Sequence, residues 1–123
     1  MKIRIFALLA VVALAGALAT SATAGNKAKT KVTIKGSGGD YYGFVKSDDE
    51  DHCANGREVT VYKLKGNGYD PSHDKEIGSD IAQANGDGYM WAIGNSGAKK
   101  GDYYAFVAKT KHCKSDVSKV ISG

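Results

Sequence analysis

The chain has 123 residues, 42% of them hydrophobic and 24% charged, with a formal net charge of +4. This length suits one small domain with a core of its own. Lysines and acids are interspersed with no block of five basic residues, so neither nucleic acid nor a membrane surface is indicated as a partner.

The first segment, MKIRIFALLAVVALAGALATSATAG, has the layout of a secretory signal peptide. Lys2 and Arg4 form a basic start, Ile5 to Ala19 an uncharged apolar run, and Ala22-Thr23-Ala24 a small-residue cleavage site. The apolar run is short of the roughly 20 residues that span a bilayer. The expected organisation is a signal peptide over 1–24 and a single domain over 25–123, with no membrane insertion after the signal is removed. Without Lys2 and Arg4, 15 basic side chains face 13 acidic ones, a net +2.

The remainder holds short apolar runs punctuated by glycine, with 16 glycines and one proline in the whole chain. Lys31 to Lys35 alternates polar and apolar and predicts a strand, Gly36 to Asp40 a turn, and Tyr41 to Lys46 a second strand. The acidic stretch KSDDEDHC follows, and then the turn dipeptide Asn55-Gly56. Glu58 to Lys65, rich in β-branched and aromatic residues, predicts a strand, and Gly66 to Lys75 a loop. Glu76 to Gln83 is a weaker strand, leading into Asn85-Gly86-Asp87-Gly88, a strong hairpin signal. Beyond that turn, Tyr89, Trp91 and Ile93 share one strand face and Met90 and Ala92 the other, which makes Trp91 a core candidate.

Gly94 to Gly101 is a loop. Asp102 to Lys109 is apolar on both faces and reads as a central strand, and Asp116 to Ile121 as a short last one. No helical periodicity stands out after the leader. About seven strands in this length imply an all-β fold, a two-sheet antiparallel sandwich.

Cys53 and Cys113 are the only cysteines, and an even count in an exported chain reads as a disulfide. The acids Asp48 to Asp51 do not alternate with other residues as calcium ligands usually do, and are expected to form a solvated loop anchored by that bridge, offset in part by Lys46 and Arg57. His52 and His112 each precede a cysteine, so the bridge brings them together, and with Asp51 they are the weak candidates for a zinc site. Bridged cysteines supply no thiolate, and the expectation is that no metal or cofactor is held. No G-x-S-x-G or H-E-x-x-H motif is present, and nothing in the spacing of Ser, His and Asp favours a triad. Along the 102–109 strand, Tyr103, Ala105 and Val107 share one face, and Tyr104 and Phe106 share the other. Only one face can be core, which makes Tyr104 and Phe106 the candidate binding face.

The runs Tyr42-Gly43-Phe44-Val45, Arg57 to Tyr62, Asn85 to Trp91, and Gly101 to Val107 together resemble a transthyretin-like or carboxypeptidase-regulatory-like sandwich. The match covers about residues 30 to 110. It includes a D-x-x-G-x-aromatic type of hairpin and a glycine-flanked closing strand. The chain is also similar to small secreted bacterial proteins with one cysteine pair; an immunoglobulin-like sandwich is the other form the pattern allows. The hydrolase branch of the transthyretin family ends in Tyr-Arg-Gly-Ser, whereas this sequence ends Ser118-Lys119-Val120-Ile121-Ser122-Gly123, so the resemblance does not extend to that activity.

The expected function is that of a secreted, non-catalytic extracellular module, binding or cell-surface associated, whose ligand is a protein or a carbohydrate. A secreted binder of one defined protein, such as an inhibitor or interbacterial factor, is the alternative, and a small hydrolase the third reading. Cleavage after Ala24 predicts that N-terminal mass spectrometry of the exported protein begins at Gly25; secreted material that retains Met1 would refute the leader assignment.

Overall fold

In a computed structural model of the chain, which describes residues 26–97 and 100–122, two antiparallel sheets pack face to face. The leader and its cleavage site lie outside the described residues. The strands are β1 (Lys31–Val32), β2 (Lys35–Ser37), β3 (Asp40–Lys46), β4 (Glu58–Lys63), β5 (Lys75–Ile81), β6 (Gln83–Asn85), β7 (Gly88–Ile93), β8 (Asp102–Val107), β9 (Asp116–Val117) and β10 (Ile121–Ser122). One helical turn, α1 (Glu50–Cys53), lies between β3 and β4. The first sheet runs β1-β3-β7-β6, with β2 also on β3; the second runs β10-β8-β4-β5, with β9 also on β8.

There are more strands than the sequence pattern suggests because three predicted strands are interrupted. The run Lys31 to Lys35 and the turn after it become β1 and β2, which keep the alternation but lose the ladder at Thr33. There the Thr33 hydroxyl, in place of a main-chain carbonyl, accepts the Phe44 N–H at 2.9 Å. The Thr33 carbonyl instead accepts the indole N–H of Trp91 at 3.2 Å. Gly43 allows this approach, since a Cβ at that position would overlap the Thr33 carbonyl. The last predicted strand is likewise split into β9 and β10, because the Ser118 hydroxyl accepts the Ala105 N–H at 2.8 Å. The third break is at Ala82, where the chain leaves the second sheet as β5 and enters the first as β6. Its N–H donates to the Arg57 carbonyl (2.8 Å) and its carbonyl accepts from Gly56 (2.9 Å).

The core lies between the sheets and contains Val32, Ile34, Tyr41, Val45, Val59, Val61, Trp91, Tyr103 and Val107. Trp91 is 1% exposed, and Tyr89 and Ile93 of the same stripe pack against the cluster. Tyr41 and Tyr103 meet across the sheets with ring centroids 5.1 Å apart. The β6–β7 hairpin turns at Gly86 and Asp87, with Asn85 paired to Gly88 and Gly86 at φ 63°.

At one end of the sandwich the loops are bolted together. Cys53 and Cys113 form a disulfide with Cα atoms 5.5 Å apart and both residues buried. Ala28 makes an isolated parallel bridge with Cys113. Between these lies Arg57, expected in the open to offset the acidic stretch but in fact 4% exposed. Its Nη1 donates to the Thr30 hydroxyl (2.9 Å) and the Cys53 carbonyl (3.1 Å), and its Nη2 to the carbonyls of Ala108 (2.8 Å) and Lys114 (3.2 Å). Burial lowers its pKa, yet it faces four oxygens and no carboxylate. A planar fork with fixed donors suits four acceptors on four segments, and a lysine at the same point cannot match them.

Arg57→Lys is expected to lower unfolding free energy by about 2–4 kcal/mol, because the buried Cys53 carbonyl and the part-buried carbonyls of Ala108 and Lys114 compete for a donor set that lysine cannot supply. Reducing the disulfide, which closes a sequence separation of 60, is expected to cost about 4 kcal/mol in the chain-entropy view. Urea melts of the two altered forms check both numbers, and an Arg57→Lys midpoint equal to the parent would show that the guanidinium cross-link contributes nothing.

Candidate functional site

The acidic stretch is not wholly a loop. Asp49 caps α1, with Oδ1 accepting the His52 N–H at 3.4 Å, and Glu50 and Asp51 occupy the first turn, where negative charge is favoured. Turn formation is local and short, and no apolar period announces it. Asp48, Glu50 and Asp51 are exposed. The disulfide brings His52 and His112 together as expected, with ring centroids 4.7 Å apart. The His52 Nδ1 is taken up by Asp49 at 3.0 Å rather than turned to Asp51. Among the described residues no three His, Cys, Asp or Glu side chains converge as a metal site.

The candidate binding face on β8 needs correction at Tyr104. This residue is fully buried and Phe106 is half-buried. The loop after β4 folds over this face of the second sheet: Tyr69 packs edge-on against Tyr104 (4.9 Å) and donates its hydroxyl to the Ser118 carbonyl (2.8 Å). Tyr62 stacks on the other side of Tyr104 at 5.6 Å. The pin for this loop is Asp74, buried at 8% exposure. Its Oδ1 accepts from the Lys65 N–H (3.0 Å), and its Oδ2 from the Asp70 N–H (2.9 Å) and the Tyr104 hydroxyl (2.6 Å). The Tyr104 bond holds the Asp74 carboxyl below its usual range, and burial followed by that bond raises the Tyr104 phenol well above its own. Two aromatics of the loop and strand thus cover the face that the alternation of β8 leaves outward.

A groove lies elsewhere, along the edges of the two sheets where β1 and β9 come together. Its volume of about 790 Å³ falls within the range typical of ligand sites. Val32, Ile34 and Val117 contribute apolar lining, and Asp116 crosses between the sheets to accept the Val32 N–H at 2.8 Å. Five lysines line it: Lys29, Lys31, Lys35 and Lys46 from the first sheet and its approach, and Lys119 from the other wall. All five are exposed. Lys31 and Lys46 stand directly opposite on β1 and β3, an arrangement of like charges that costs stability. Among the described residues the direct ion pairs are His52–Asp49 and His73–Asp70, so none of the five lysines is in one, although Asp48 and Asp116 line the same groove. Asp48 lies at one end of the groove, where it meets the acidic stretch. The lysines were visible in Lys27 to Lys35, KAKTKVTIK, as the polar half of an alternating strand. That pattern alone does not separate an ordinary wet face from the wall of a groove.

Both His–Asp pairs lie on exposed turns, and no histidine lines the groove. No helix among the described residues is long and apolar enough to cross a membrane. Compared with family models, with curated proteins and with solved structures, the chain matches none.

The Asp74 pin predicts a particular pH response. A carboxyl whose folded pKa is depressed adds stability above its unfolded value, near 4, and that stability is lost as pH falls through the lower, folded value. A phenol whose folded pKa is raised acts oppositely, so stability declines once pH passes about 10 and the unfolded chain ionises first. Thermal melts across pH are expected to show an acid limb below about pH 4. Asp74→Asn should flatten that limb, and an unchanged limb in the variant would rule out Asp74 as its source.

Proposed function

We propose that this chain is an exported, non-catalytic binding domain of transthyretin-like or carboxypeptidase-regulatory-like type, and that the groove between β1 and β9 is its binding site. The observation that carries this is the clustering of five lysines, none in a direct ion pair, against two aspartates around one groove of about 790 Å³. Like charges held together cost free energy in the unbound protein, and a ligand that neutralises them recovers it. Export is supported by the leader-like N-terminus and by the disulfide, a bond that persists in oxidising compartments. The non-catalytic reading is supported by the position of the acid-paired histidines, which lie outside the groove on exposed turns where no substrate would be enclosed.

Purified protein is expected to co-sediment with the insoluble cell-envelope fraction of the producing cells, and the Lys31→Gln/Lys46→Gln variant to remain in the supernatant. Asp48→Asn/Glu50→Gln, at the acidic stretch, should sediment like the parent. If the parent stays soluble, or if the groove variant sediments equally, the groove is not the site of envelope binding.

A further inference from the structure

We propose that the occupant of the groove is an extended acidic polypeptide segment, a deepening that rests on the groove being the binding site. The groove is long and open, bordered by residues 29–35 on one wall and 116–119 on the other. Along the first wall, Lys29, Lys31 and Lys35 follow the two-residue period of an extended chain, with Thr33 in the intervening place. Side chains on one face of an extended strand are roughly 7 Å apart, the same repeat as alternate carboxylates on an extended acidic peptide. Lys46 faces Lys31 across the ladder and adds charge beside the row, and Lys119 supplies it from the opposite wall.

Two further observations favour a peptide over other polyanions. The lining has no Tyr, Trp, Phe or Arg, so it offers no platform on which sugar rings or bases could stack and no bidentate fork for phosphate. The β1 edge already bonds a carboxylate through its main chain: Asp116 accepts the N–H of Val32 at 2.8 Å. The half-buried Val117 adds apolar lining that can receive the aliphatic parts of a peptide's side chains.

The probe is a fluorescein-labelled oligo-glutamate peptide, titrated with the disulfide-intact protein at low and at physiological salt. Binding is expected, weakening as salt rises because exposed charges are screened. The Lys31→Gln/Lys35→Gln/Lys46→Gln variant should bind at least about tenfold more weakly, and Lys109→Gln/Lys111→Gln, outside the groove, within about twofold of the parent. Circular dichroism confirms that both variants are folded. Alginate and polyphosphate of matched charge serve as competitors and should displace the peptide poorly. No peptide binding, equal losses in the two variants, or displacement as effective as by unlabelled oligo-glutamate would each overturn the assignment. Envelope co-sedimentation that survives such a result keeps the groove as a binding site and removes only the peptide as occupant; loss of both removes the site itself.

Discussion

The arrangement of the whole domain turns on a charged group buried without a counter-ion. Arg57 precedes β4, and its guanidinium reaches the segment before β1, the end of α1, the exit of β8 and the approach to β9. Burying a cation is costly unless its hydrogen bonds are met. Here they are met by a hydroxyl and three main-chain carbonyls that would themselves be left without donors. The cost of desolvation and the cost of orphaned carbonyls therefore offset each other only when all four segments are in place. That coupling makes this end of the sandwich cooperative. The disulfide and the Ala28–Cys113 bridge lie in the same region and hold the same segments by different means.

This hub also separates the charges of the surface. The turn α1, fixed at its end by Cys53, keeps the acids outside and supplies His52 as a neighbour for Asp49. The segment leading into β1, held by Arg57 through Thr30 and by the backbone bonds of Ala28, carries Lys29 and leads on to Lys31 and Lys35 at the groove wall. The groove's basic wall is thus braced from its base. A ligand that meets it need not order the wall, and preorganisation of this kind leaves more of the contact energy for affinity.

The two sheets solve the problem of their outer faces differently. The second sheet is covered by the loop pinned through Asp74 and Tyr69, which accounts for the burial of Tyr104 on its outer face. The first sheet is not covered in this way; Tyr42 remains 41% exposed and Lys31 and Lys46 face solvent. The accessible charge and the open edge belong to the same side of the molecule, and the binding reading follows from that coincidence rather than from any single residue.

The two-sheet β architecture, the β6–β7 hairpin, the inward Trp91 and the disulfide were all legible in the chain itself. Alternation, turn dipeptides and a single cysteine pair are local or combinatorial signals, and local chemistry suffices to read them. The breaks in the strands were not legible: Thr33 and Ser118 look like ordinary strand residues until a partner strand presents an N–H for the hydroxyl to accept. The fate of Tyr104 was likewise open, since alternation says which residues share a face but not what later covers it. Arg57 looked like a surface cation because its acceptors lie 27, 4, 51 and 57 residues away. The groove depended most fully on tertiary structure. Its lysines come from the segment before β1, from β1, β2 and β3 and from beyond β9, and only packing the two sheets face to face brings these separate polar positions together into one basic site.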